Sequence, residues 1–142
     1  MRKLSGADYR LLAEFRYQIR KFLHFSEQAA RLEGLEPQQH QMLLAIKALG
    51  DGDEPTVGRL AEHLFIRHHS AVGLIDRLEE RALVTRERAR NGDRRQVSVH
   101  VTSRGESILR RLTEVHRKEL LSSDPGLVQS LQGLLEAALG QS

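Results

Sequence analysis

Five arginines fall between positions 86 and 95: Arg86, Arg88, Arg90, Arg94 and Arg95, against two carboxylates, Glu87 and Asp93. A guanidinium is planar, always charged and carries a fork of donors that matches phosphate oxygens, so this concentration points to a polyanion. A second set precedes it, Arg67, His68, His69 and Ser70, with Arg77 further on. Imidazole and hydroxyl groups donate or accept hydrogen bonds, which suits base edges in a duplex groove, while arginines meet the backbone. A solvated charged surface accounts for any one of these arginines but poorly for the cluster, which extends to Arg59 and Arg81.

Other chemistries fit less well. None of the seven histidines stands at compact metal-ligand spacing: Glu62 precedes His63, and Arg67 occupies the place a second ligand would need. His24, His40 and His116 could meet only through the fold. There is no cysteine, which excludes disulfides, zinc-thiolate sites and thiol-based sensing. Neither a serine-histidine-aspartate arrangement nor a glycine-rich phosphate loop can be read, so no enzyme, no cofactor and no metal is expected.

The elements that must hold these side chains follow from periodicity. Val97, Val99 and Val101 alternate with Ser98 and His100, the pattern of a half-buried strand with the valines inward. Leu83 to Glu87 is a second extended segment, and Arg88 to Gln96 joins the two as a hairpin with Asn91-Gly92 at its tip. Before the hairpin, Val57, Leu60, Ala61 and Leu64 trace a helix capped by Thr56. Ala71, Leu74, Ile75, Leu78 and Ala82 trace a second, whose apolar stripe leaves His68, His69, Ser70 and Gly73 pointing elsewhere. Two helices, a tight turn and a basic hairpin make a helix-turn-helix with a wing.

The flanks read as helices. One runs from about Ala7 to Leu32 and ends at Gly34; another starts at Pro37 and carries Met42, Leu43, Ile46 and Leu49 to Gly50. Asp51-Gly52-Asp53-Glu54-Pro55 is a turn leading into the helix-turn-helix. After the hairpin, Ser103 and Glu106 have the spacing of a capping box, with Ile108, Leu112 and Val115 continuing that helix. Asp124-Pro125 opens a last helix bearing Leu127, Leu131, Leu134, Leu135 and Ala138. A length of 142 residues suits one domain with a real core, and the net charge of +3 is only mildly basic. The N-terminus, Met1-Arg2-Lys3-Leu4-Ser5-Gly6, lacks the apolar stretch of a signal peptide and no 18-residue apolar run occurs, so a cytoplasmic protein is expected.

Asp93-x-Arg95 with Val97, Val99, Val101, Thr102 and Gly105, preceded by Asp76-Arg77-Leu78, resembles the winged-helix signature of the MarR family of bacterial transcription regulators. The order of elements from Arg10 to Leu139 is similar too. The resemblance implies a mainly α fold with a small β-hairpin wing, a single domain over 1–142. Within it, 51–102 form a winged helix-turn-helix reader flanked by dimerisation helices at 7–50 and 103–140. It implies a sequence-specific, homodimeric DNA-binding transcription regulator, a repressor released by a small-molecule effector, on a pseudo-palindromic double-stranded operator. A winged helix used for protein contacts without DNA binding is the alternative. Residues expected at DNA are Arg67, His68, His69, Ser70, Arg77, Arg88, Arg90, Arg94 and Arg95, while Asp93, by resemblance, pairs with Arg95 to hold the wing. Gly73 stands where the family commonly carries a bulkier polar residue, and Arg67 where a small polar one is usual. Tyr9, Phe15, Tyr17, Phe22 and Phe25 crowd the first helix. Ordinary packing explains them, or some line a pocket for an aromatic or phenolic effector, with Tyr17, His24 and His40 as the candidates.

Overall fold

The computed structural model describes residues 3–88, 96–122 and 126–140. Its elements are α1 (Gly6–Leu32), α2 (Pro37–Leu49), α3 (Val57–Leu64), α4 (His68–Glu80), β1 (Val84–Arg88), β2 (Val97–Val101), α5 (Ser103–Leu121) and α6 (Gly126–Leu139). This is the mainly helical, winged architecture expected from the sequence.

Helix ends follow local chemistry. At the start of α1 the Ser5 amide donates to Asp8 Oδ2 at 2.7 Å. At its end, Leu35 N–H reaches Ala30 O and Gly34 N–H reaches Arg31 O, both at 2.9 Å, with Gly34 at φ +79°. This double closure requires a left-handed residue, which glycine adopts without steric cost. The same closure ends α3 at Phe65 (φ 56°) and α4 at Ala82 (φ 59°), where no glycine is present. Ala82, expected on the apolar stripe of the second reader helix, therefore lies beyond its end and is exposed. Thr56 caps α3 as expected, its Oγ1 accepting from Arg59 N at 3.3 Å.

The core gathers around α2, which packs on α1, α3, α4, α5 and β2. Met42, Leu43 and Ile46 of α2 meet Leu60, Ile75, Leu78, Leu83, Val99 and Leu112, all buried. The hairpin is antiparallel, pairing Val84 with Val101 and Arg88 with Val97. Its first strand starts one residue later than expected, because Leu83 belongs to the core and closes α4 by donating to Leu78 O at 3.0 Å.

Two sequence expectations are corrected at this junction. Ser98 was expected to face outward, yet it is 1% exposed. Thr56 bridges to Ser98 and Val99 N–H donates to Pro55 O at 3.0 Å, so the chain before α3 covers β2 on the side away from β1. The capping box of α5 is also displaced. Thr102, not Ser103, is the N-cap: its hydroxyl accepts from Gly105 N at 3.1 Å and donates to Ala82 O at 2.7 Å. That second bond fixes the frame, and Glu106 pairs instead with Lys47 at 3.0 Å. Gly105 is held to glycine by crowding, since an added Cβ would lie 2.3 Å from Leu83 O.

Helix α6 packs chiefly on α1. Neither covers its own apolar face: Tyr9, Leu12, Tyr17 and Leu23 of α1 and Val128, Leu131, Leu135 and Leu139 of α6 are exposed.

Candidate nucleic-acid interface

At 100° per residue, α4 presents two opposite faces. Ala71, Leu74, Ile75 and Leu78 are buried against α2, α3 and the wing base. His69, Gly73, Asp76 and Glu80 fall on the reverse, with Arg77 at its edge. Arg67, His68, His69 and Ser70 are exposed around the start of the helix, and Arg77 and Arg88 are exposed as well. Periodicity thus leaves Arg67, His68, His69, Ser70 and Arg77 accessible on one helix of the reader, with Arg88 at the end of β1. Arg90, Asp93, Arg94 and Arg95, with the Asn91-Gly92 tip, lie outside the described residues.

Three arginines grouped with these by sequence have bonds within the chain. Arg59 pairs with Asp53 at 2.7 Å and donates to Glu54 O at 3.0 Å. Arg81 donates to Gly34 O at 2.7 Å, joining the end of α4 to the end of α1. Arg86 of β1 binds Asp76 of α4, with Glu79 3.9 Å away, and so ties the base of the hairpin to α4. Only the folded arrangement makes these pairs neighbours. Between α3, α4 and β2 lies a cleft of about 360 Å³ whose wall includes Val57, His68, Val72, Arg86 and Val97.

The three effector candidates occupy different surroundings. Tyr17 and His24 are exposed on α1, whereas His40 is buried at the start of α2. The His40 ring lies 5.3 Å from that of His116, which in turn makes edge contacts with Phe22 at 6.0 Å and Phe25 at 5.5 Å. Burial, and secondarily the neighbouring His116, lowers the pKa of His40 to about 4. His116 Nδ1 lies 2.6 Å from Leu112 O and so carries the proton there; Nε2 is 2.8 Å from Ser26 Oγ. Of the three histidines that only the fold could bring together, His40 and His116 do meet while His24 stays exposed, and the sequence carries a further trace: Ile108, Leu112 and His116 are each four residues apart, which puts His116 on the core-facing stripe. Among the described residues no group of three or more histidine or acidic side chains is placed to hold a metal ion, and no helix is long and apolar enough to cross a membrane.

Residues 33–96, which span α2, α3, α4 and β1 and stop short of β2, match the family model described as MarR family. Over that stretch the chain is similar to the MarR family. Solved structures extend the MarR fold to the terminal helices. A MarR family protein from Bacillus stearothermophilus is 21% identical, with 97% of this chain and 98% of that chain covered at a TM-score of 0.70. MepR, a transcription regulator of the Staphylococcus aureus multidrug efflux pump MepA, is 18% identical over 90% of this chain and 96% of its own, also at 0.70. CouR from Rhodococcus jostii RHA1, solved bound to p-coumaroyl-CoA, is 19% identical over 89% and 90%, at 0.63. No curated protein matches. The proteins that the chain is similar to include structures described as MarR family transcription regulators.

Proposed function

We propose that this chain is a homodimeric, sequence-specific DNA-binding transcription regulator of the MarR family, a repressor released by a small-molecule effector. The observation that carries the reading is the two-sided α4. Its buried face is locked into the core, while its other face and N-terminal turn leave Arg67, His68, His69, Ser70 and Arg77 accessible. His68, His69 and Ser70 read base edges in the major groove; Arg67 and Arg77 meet phosphates. The wing follows the backbone through Arg88, Arg90, Arg94 and Arg95, with Asp93 holding Arg95 in place.

Dimerisation follows from the exposed apolar faces of α1 and α6, which a second copy covers. Two-fold symmetry then sets half-sites about 10 base pairs apart. The effector is a small aromatic or phenolic molecule acting between the dimer helices and the reader, near Tyr17, His24 and His40. It shifts the two readers out of register with successive grooves, and by linkage it binds the DNA-bound form more weakly by the factor that it costs DNA.

Equilibrium binding of the full chain to duplex DNA across salt tests this. A protein that neutralises six to ten phosphates loses roughly 10³ to 10⁵ in affinity between 50 and 200 mM salt. Salt-insensitive binding, or no binding, removes the DNA reading and favours a protein-contact module. A monomer at micromolar concentration removes the palindrome.

A further inference from the structure

We propose that Gly73 is a specificity-determining position of the recognition helix, where the bare surface it leaves on α4 seats the 5-methyl group of a thymine. The inference rests on the DNA-reading assignment of α4.

Gly73 is the sixth of the 13 residues of α4. An interior helical glycine costs about 1 kcal/mol relative to alanine, so its presence asks for a cause. Conformation is not the cause, because Gly73 is not among the positive-φ glycines, Gly34 and Gly52. Crowding by the rest of the described chain is not the cause either: beyond its own turn of helix and its chain neighbours, a Cβ built on Gly73 meets nothing within 4 Å. Gly105 shows what the contrary case looks like, with backbone in the way. Nothing among the described residues makes a side chain unwelcome at Gly73, so the cause is sought in what α4 meets outside this chain.

The position says what approaches. Gly73 follows His69 and precedes Arg77 by four residues each, on the side of α4 away from Leu74, Ile75 and Leu78. A base reached by His69 lies one helical turn from the notch. The amide N–H in mid-helix is spent on the helix itself, so the surface available at Gly73 is Cα–H, which can pack but cannot donate a conventional hydrogen bond. Among the groups that distinguish base pairs in the major groove, the apolar one is the thymine methyl. A bare helix face flanked by hydrogen-bonding side chains is complementary to it, and an alanine methyl would compete for the same space.

The test uses duplexes selected by the full chain from a randomised library, with each thymine replaced in turn by uracil, which lacks only that methyl. At one thymine per half-site, uracil should weaken the wild-type protein about fourfold, the value of one buried methyl-sized group. Gly73→Ala should melt a few degrees higher, showing that the helix is intact. It should bind the thymine duplex at least about fivefold more weakly than the wild type does, the low end of losing one base contact. Its preference at that position should fall to nothing or turn toward uracil. A selected sequence at which the wild type is indifferent to every thymine methyl, or a Gly73→Ala variant that keeps the wild-type preference, overturns the role of Gly73 and leaves DNA reading standing. A library that yields no preferred sequence overturns sequence-specific reading itself, and this inference with it.

Discussion

The α2-centred reader and the α1–α6 end are built on opposite terms. In the reader, Leu43, Ile46, Leu60, Ile75 and Val99 are all buried by residues of the same chain, and the arginines Arg59 and Arg86 find carboxylates within it. At the other end, α1 and α6 lean on each other, and α1 still exposes tyrosines and leucines while α6 exposes Val128 and leucines. A helical face can therefore be amphipathic for two reasons, one answered inside the protomer and one outside. Sequence periodicity signals both alike, and burial tells them apart.

Substitutions should separate the two regions, the largest effect coming from the reader core. Leu43→Ala, at a side chain with no exposed surface, should cost about 2–5 kcal/mol in chemical denaturation. A loss under 1 kcal/mol there would erase the distinction. Next comes the joint between the regions. His40 has a pKa lowered from 6.5 to about 4, so above pH 6.5 it is neutral in folded and unfolded chains alike. As pH falls from 6.5 toward 4 the unfolded chain takes up the proton first, and stability should decline by on the order of 3 kcal/mol before levelling off. Unfolding curves of wild type and His40→Leu compared over that window check this, since the variant should lose that part of the slope.

Gly105→Ala should destabilise by about 1–3 kcal/mol because the new methyl meets the Leu83 carbonyl, part of a backbone held by Thr102 N–H. Opposite signs for Gly105→Ala and Gly73→Ala in thermal melts would show that the reader excludes side chains for internal reasons at one site and external reasons at the other. The cap frame is a finer test. Thr102→Ala should cost about 1 kcal/mol or somewhat more, as two bonds go, while Ser103→Ala should stay within about 0.5 kcal/mol. Equal effects would restore the capping box read from sequence. The smallest change to the protomer itself is expected from Leu131→Ser with Leu135→Ser on α6. Sedimentation should show the dimer lost with helicity retained, and the unfolding midpoint should stop rising with protein concentration. A dimer that survives both serines would mean the exposed face of α6 is not the contact.

Much of the fold was legible because its signals are local. Pro37 opens α2, Thr56 caps α3, and Gly34 closes α1, each as residue type and position require. The misread positions are those where a distant partner decides. Ser98 is buried because Pro55 and Thr56 lie over β2, and the α5 cap falls on Thr102 because Ala82 O, 20 residues earlier, also needs its hydroxyl. At the candidate interface, periodicity sufficed to find the exposed turn of α4 at His68, His69 and Ser70. It could not separate accessible arginines from engaged ones, since Arg86 and Arg81 reach partners ten and 47 residues away. Sequence could name His24, His40 and His116 as histidines for the fold to bring together but not which of them would meet, since the His40–His116 contact is made by α2 and α5.

The bond from Arg86 to Asp76 removes a degree of freedom. A hairpin on a helix-turn-helix can in principle flap about its own base, trading grip on the backbone against the fit of the helix in the groove. With β1 fastened to α4, the two travel as one stiff piece, and Arg81 on Gly34 O fastens the far end of that piece to α1. On the proposed reading, a poor fit to a given DNA sequence is then taken up less by the hairpin than by bending the duplex or by tilting one subunit of the proposed dimer against the other.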